Sequence, residues 1–213
     1  MMRARALAFL VPTLAAAVLL GGCLLRQSKP ARTYVLDPLA AAGTSAPRET
    51  PLAVVGVLKV TVPGWIDRPQ VTGRAASGQI VTDEFARWGE PIERGIQRVV
   101  AENLAALLPD RRVVAAPFAP GEAIDQRLDL GITEAARQVD GSVLVEARWA
   151  VLGPKGETLV HHRSSHRANP TAAGAAGAVT GASEALAGLS RDIADALRAL
   201  PTPAREEKAV ERP

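Results

Sequence analysis

Between residues 126 and 167 the apolar side chains fall on every second position, and a chain written this way forms strands. Leu128, Leu130 and Ile132 alternate with Asp129, Gly131 and Thr133, and Val143, Val145, Ala147, Trp149 and Val151 repeat the alternation. Successive strand side chains point to opposite faces, so this period buries one face and leaves the other wet. Gly153 and Gly156 turn the chain into a third run at 157–167, and residues 126–167 read as an antiparallel meander. At Pro91 the period changes. Ile92, Ile96, Val99, Val100, Asn103, Leu104 and Leu107 are spaced by three and four, with Glu93, Arg94, Gln97, Arg98 and Glu102 on the other sides. That is an amphipathic helix ending at Pro109. Pro91 suits its first turn, where a missing N–H costs nothing, and Glu90 and Glu93 suit the positive end of the helix dipole.

The other elements are shorter. Residues 52–62 are β-branched and aliphatic, with Gly56 inside and Pro63-Gly64 ending them, which predicts a strand and a turn. Two extended pieces, 70–72 and 79–82, predict a hairpin through Gly73 and Gly78. Residues 112–116 predict a strand, and Leu186, Leu189, Ile193, Leu197 and Leu200 a closing helix. The Ala/Gly-rich run at 171–181 reads as a flexible crossover and residues 201–213 as a disordered polar tail. The expected fold is α+β: a single domain with a mixed or mainly antiparallel sheet and two amphipathic helices packed on it. Its limits are 52–200.

Residues 1–23 follow a different logic. Arg3 and Arg5 precede an apolar stretch, 6–20, which ends in Leu20-Gly21-Gly22-Cys23. The order is that of an export signal, and its apolar stretch falls short of the roughly 20 residues a spanning helix needs, with Pro12 interrupting it. The Leu-x-Gly-Cys ending resembles the lipobox of bacterial lipoproteins. The resemblance implies cleavage of residues 1–22, a diacylglyceryl group on the Cys23 thiol and an acyl chain such as palmitate on its amine. An ordinary secretory signal with an incidental cysteine, or a thin membrane anchor, is the competing reading. Residues 23–51 would then be a lipidated N-terminus and tether, with a short strand near 33–36. Several acyl chains hold a protein on a bilayer essentially permanently. Leu24 is not the aspartate that retains enteric lipoproteins at the inner membrane, which implies the periplasmic leaflet of the outer membrane.

Composition closes several functional classes. Of 25 basic and 22 acidic residues, Arg3 and Arg5 lie in the segment to be removed, so the mature chain is near neutral and shows no phosphate-tracking stripe. Nucleic acid is not expected as a partner. A single cysteine excludes a CxxC metal or redox site. His161, His162 and His166 share one strand with Ser164 and Ser165, but no nearby acid orients them, no G-x-S-x-G turn is present and no second His/Cys/Asp cluster completes a metal shell, so a solvated strand face is expected. Asp83 and Glu84 are adjacent in an extended segment and would face opposite sides, the wrong geometry for paired acid/base work. The glycines of 174–181 lack the Gly-Lys-Ser/Thr ending of a phosphate loop. No enzyme signature survives, and no cofactor is expected beyond the acyl groups on Cys23. Trp65 and Trp88 lie at junctions, where a tryptophan either staples a loop to the core or anchors a partner.

The order of motifs resembles the ABC-transport auxiliary lipoproteins of the paraquat-inducible (Pqi) type, with the YmbA-like and DUF330 families. The residues that carry the resemblance are Tyr34-Val35-Leu36, residues 63–71 (Pro-Gly-Trp-Ile-Asp-Arg-Pro-Gln-Val), residues 85–92 (Phe-Ala-Arg-Trp-Gly-Glu-Pro-Ile) and residues 98–104 (Arg-Val-Val-Ala-Glu-Asn-Leu). It covers nearly all of the mature domain. By carry-over, Trp65, Asp67, Arg68, Pro69, Gln70, Arg87, Trp88, Glu90 and Pro91 are motif positions and candidates for a partner or oligomer interface. Pro69 and Pro91 restrain the backbone, and Arg68, Arg87 and Glu90 are expected in ion pairs. The resemblance implies a non-enzymatic subunit that docks an MCE-domain transporter subunit in intermembrane lipid traffic and forms a homo-oligomeric ring. The alternative is a periplasmic lipoprotein adaptor of cell-wall synthesis.

Overall fold

A computed structural model describes residues 30–39 and 53–201. The export segment, Cys23, most of the tether and the tail from residue 202 lie outside them. The elements run β1 (Arg32–Tyr34), β2 (Ala53–Val57), β3 (Gln70–Arg74), β4 (Ile80–Trp88), α1 (Ile92–Leu107), β5 (Arg111–Ala115), β6 (Gln126–Arg137), β7 (Val143–Leu152), β8 (Thr158–Ala168) and α2 (Gly174–Ala199).

The eight strands form one sheet, in the order β1-β4-β3-β6-β2-β5, with β7 and β8 continuing from β6. The meander is present: β6 pairs antiparallel with β7, and β7 with β8. The β3–β4 hairpin is also antiparallel, and its second strand runs on to Trp88. The pairings β1–β4, β2–β5, β2–β6 and β3–β6 are parallel, so the sheet is mixed, and the α+β expectation holds. With β7 along one edge of β6, β2 and β3 share the other: Val55 lies opposite Gln126 and Gly73 opposite Arg137.

Both helices pack on one sheet face. Ile96, Val99, Val100 and Leu104 of α1 and Leu186, Leu189, Ile193 and Leu197 of α2 join Leu128, Leu130, Val145, Ala147 and Val151 in one aliphatic core. Each such Val, Leu or Ile side chain contributes roughly 1.5–3 kcal/mol when fully buried. Asn103 of α1 donates from Nδ2 to Ser190 Oγ of α2 at 3.1 Å, and accepts from the Leu39 N–H at 2.6 Å, which satisfies a fully buried amide between the helices. Among the described residues no helix is long and apolar enough to cross a membrane.

Three expectations change. The run at 52–62 is a strand only over Ala53–Val57. Beyond it, Leu58 N–H bonds Leu128 and Thr61 N–H bonds Leu130, so three residues advance against two of β6 and the ladder breaks. Residues 171–181 are no flexible crossover, because α2 begins at Gly174. Their small size is a packing requirement: a Cβ on Gly181 would stand 2.6 Å from Val143 Cγ2. Pro91 is the residue before the first turn, with non-helical ψ of 130°, and its carbonyl accepts the N–H groups of Arg94 and Gly95.

Candidate docking groove

The loop between β2 and β3 is a turn pinned from inside. Ile66 and Asp67 N–H groups bond the Pro63 carbonyl at 2.8 and 3.1 Å, Ile66 is 2% exposed, and Trp65 packs on the core. The apolar pair is drawn inward, and Asp67, Arg68 and Pro69 are left exposed. The Pro69 carbonyl then accepts the Trp88 N–H at 2.8 Å, and the Tyr34 carbonyl accepts the Gly89 N–H at 2.7 Å. These bonds set the loop beside the end of β4 and the start of α1.

The result is an open groove of about 420 Å³ whose walls include Asp67, Arg68, Pro69, Trp88, Glu90 and Pro91. Six of the nine motif positions thus meet in one place. Trp65 belongs to the core beneath. Gln70 donates to Glu84 at 3.3 Å, and Arg87 is exposed on β4; neither lines the groove. Trp88 staples β4 to both apolar clusters and also forms groove wall.

The expected ion pairs are reassigned. Glu90 pairs with Arg98, one turn and a half into α1: its Oε1 accepts from Nε at 3.2 Å and from Nη2 at 2.7 Å, while Nη2 also donates to the Leu36 carbonyl. The hydrogen bond to Glu90 outweighs the opposing effect of burial and raises the Arg98 pKa above its ordinary value. Gly95 makes room for this reach, since a Cβ there would sit 3.3 Å from Glu90 Oε1. Among the described residues, Arg68 and Arg87 have no ion-pair partner. Arg68 is therefore an exposed cation at the groove, beside the exposed Asp67. The sequence reading named Glu90 and missed Arg98; the glycine one turn into an otherwise well-patterned helix was the available signal.

The histidine strand also needs correction, because an acid does approach it. Asp192 of α2 accepts from Ser164 Oγ at 2.7 Å and lies 2.8 Å from His166 Nε2 through the same oxygen, Oδ2. Trp149 Nε1 donates to Ser164 Oγ at 3.1 Å. Burial works against the Asp192 charge, but the bonds from Ser164 and His166 outweigh it and hold the carboxyl below its ordinary value. In a hydrolase triad the imidazole stands between acid and hydroxyl. Here the carboxylate stands between them, so the Ser164 hydroxyl donates its hydrogen bond to Asp192 and none to the imidazole. The arrangement fastens α2 to β8. His161 and His162 are exposed, as a solvated face requires, and His162 tilts against Trp149 at 5.1 Å between ring centres. Asp83 also has a structural partner, the Arg32 guanidinium at 3.3 Å.

The model of a family described as ABC-type transport auxiliary lipoprotein component matches residues 34–194. Among solved structures, a crystal structure of an uncharacterised protein is similar with a TM-score of 0.66 at 18% identity, over 79% of this chain and 99% of that one. A Xanthomonas campestris protein of the DUF330 family is similar with a TM-score of 0.61 at 14% identity, over 77% and 93%. These two likenesses concern the fold. No curated protein matches.

Proposed function

The chain belongs to the ABC-type transport auxiliary lipoprotein component family, and from that premise we propose that it is a non-enzymatic subunit docking an MCE-domain protein in intermembrane lipid transport. It is anchored through acyl chains on Cys23 at the periplasmic leaflet of the outer membrane, needs no other bound group, and works as a homo-oligomeric ring. The observation that carries the docking role is the groove, where six motif positions from two segments, 67–69 and 88–91, come together around an exposed, unpaired Arg68. Interfaces favour such an arginine beside a half-buried tryptophan, because both supply contact area and directional donors. The Ser164 geometry adds to the reading, since the hydroxyl is committed to Asp192.

The test is expression with the native signal in a Gram-negative host, crosslinking in the membrane fraction and identification of what copurifies. Wild type is expected to bring down an MCE-domain protein. Arg68→Glu is expected to lose it while still carrying its acyl chains to the membrane, and Cys23→Ala to lose acylation and, with it, recovery of the partner. Recovery of peptidoglycan synthases without an MCE protein would replace this reading with that of a cell-wall adaptor.

A further inference from the structure

The groove occupies one end of the sheet, where β1 and β4 finish; the other end carries a different set of features. β1 runs parallel to β4 with Arg32 opposite Ala86, and the Arg32 side chain reaches back to Asp83. The chain entering β1 therefore comes from the side of Ile80. Because β3 and β6 are parallel, with Gly73 opposite Arg137, the β3–β4 and β6–β7 turns lie at that same end. So does the end of β8, where Ala168 faces Val143 and leads into α2.

This end presents exposed apolar side chains at its tips and an unpaired cation beneath them; Asp140, beside Val139, is held by Arg167 at 3.3 Å. Val139, in the β6–β7 turn, is 69% exposed and Val81 is 53% exposed, the two most exposed large hydrophobic residues described. Gly141, with φ of 85° and its N–H on the Gln138 carbonyl, closes the turn and holds Val139 outward. Ala172, Ala173 and Ala176 are exposed beside them. A groove of about 160 Å³ at this end is walled by Val81, Arg137 and the first turn of α2 at Gly174 and Ala175, with Asp83 also on its rim. Arg137 has no acidic partner among the described residues, and its Nε is buried without a hydrogen bond. The first turn of α2 contains no acid and no side-chain cap. An unpaired guanidinium and the positive end of a helix dipole share one concavity, and Asp83 is already held by Arg32 and the Phe85 N–H.

We infer that this end is a membrane-facing surface: Val139 and Val81 enter the interface of the bilayer, and the Arg137 groove receives the phosphate of an anionic lipid. The inference rests on the acyl anchor proposed above. Cys23 precedes Arg32 by nine residues, a reach of about 30 Å at most. The six residue steps of β4 from Ala86 back to Ile80 span about 20 Å. The tether is long enough to bring the acyl chains past this end and too short to hold the domain far from the bilayer. Apolar tips above the unpaired Arg137, with the Asp140 charge offset by Arg167, suit the headgroup boundary of an anionic leaflet. The groove for the transporter subunit then faces away from the lipid.

The experiment uses the full acylated protein in vesicles of phosphatidylethanolamine and phosphatidylglycerol. Acylated Cys23 has no free thiol, so Val139→Cys, or Leu159→Cys at the far end of β8, supplies the only one for a fluorophore. Lipids brominated near the headgroup are the quencher. The expected result is co-flotation with loss of most fluorescence at position 139 and none at 159, weakened when phosphatidylglycerol is omitted. Co-flotation with equal quenching at both positions, or with none at 139, overturns the membrane-facing surface and leaves the anchor standing. Failure to co-float overturns both.

Discussion

The Glu90–Arg98 pair holds the groove wall to α1, and its contribution can be isolated by a double-mutant cycle. Both side chains are about one-third exposed, 31% for Glu90 and 36% for Arg98, so solvent screening limits the pair. Two donors converge on one carboxylate oxygen at 3.2 and 2.7 Å, which places it at the upper end of exposed pairs, about 1 kcal/mol of coupling. Glu90→Ala loses that coupling alone. Arg98→Ala also loses the bond to the Leu36 carbonyl and the 3.5 Å contact with Glu102, so its total cost is larger, about 2 kcal/mol. Urea unfolding of wild type, both single variants and the double variant gives the coupling as the departure from additivity. Melting temperatures should fall by roughly 2–4 °C per kcal/mol in a domain of this size. The coupling should shrink in 1 M salt, where exposed charges are screened. Additivity within about 0.3 kcal/mol at low salt would refute the assignment of Glu90 to Arg98.

Other consequences are more local. Arg111 is buried with no ion pair within salt-bridge distance; burial lowers its pKa against the attraction of Asp110, and it donates to Gln126 Oε1 at 2.6 Å and to the Leu197 carbonyl at 2.7 Å. Arg111→Ala should destabilise by about 3 kcal/mol by orphaning both acceptors, and Arg111→Met by less, as read by denaturant midpoints. The depressed Asp192 pKa means that its contribution is complete above the unfolded carboxylate pKa, about 3.9, and is lost as pH falls through the lower folded value. Asp192→Asn should remove that part of the acid dependence of unfolding, and an unchanged profile would contradict the network. Gly56→Ala should cost about 2 kcal/mol in chemical unfolding, because its Cβ would stand 2.7 Å from Phe118 Cζ and 2.9 Å from Ile124 Cγ2.

What the sequence made legible follows from the range of the forces involved. The meander and α1 were readable because period-two and period-3.6 patterns record which face of each element is buried, a local property. The first half of α2 was not, since alanine and glycine carry little amphipathic signal even where alanine favours helix. Their small size is explained only by what they touch, as when a Cβ on Gly181 would meet Val143 Cβ at 2.9 Å. The parallel pairings of β1 with β4 and of β2 with β5 join distant segments, and no single strand encodes its non-sequential neighbour. The groove was legible as an ordered set of motif positions. Its ion pair was not, because Arg98 lies eight positions beyond Glu90, and the acid on the histidine strand was hidden likewise, because Asp192 lies 26 beyond His166.

The docking claim is tested most directly by a photocrosslinking amino acid placed at Arg68, in the groove, and separately at Arg163, on the exposed face of β8. In intact cells the probe at 68 should form an adduct with an MCE-domain subunit, and the probe at 163 should not. An absence of that adduct at 68, or capture of cell-wall synthases there instead, would contradict the assignment of this groove to the transporter.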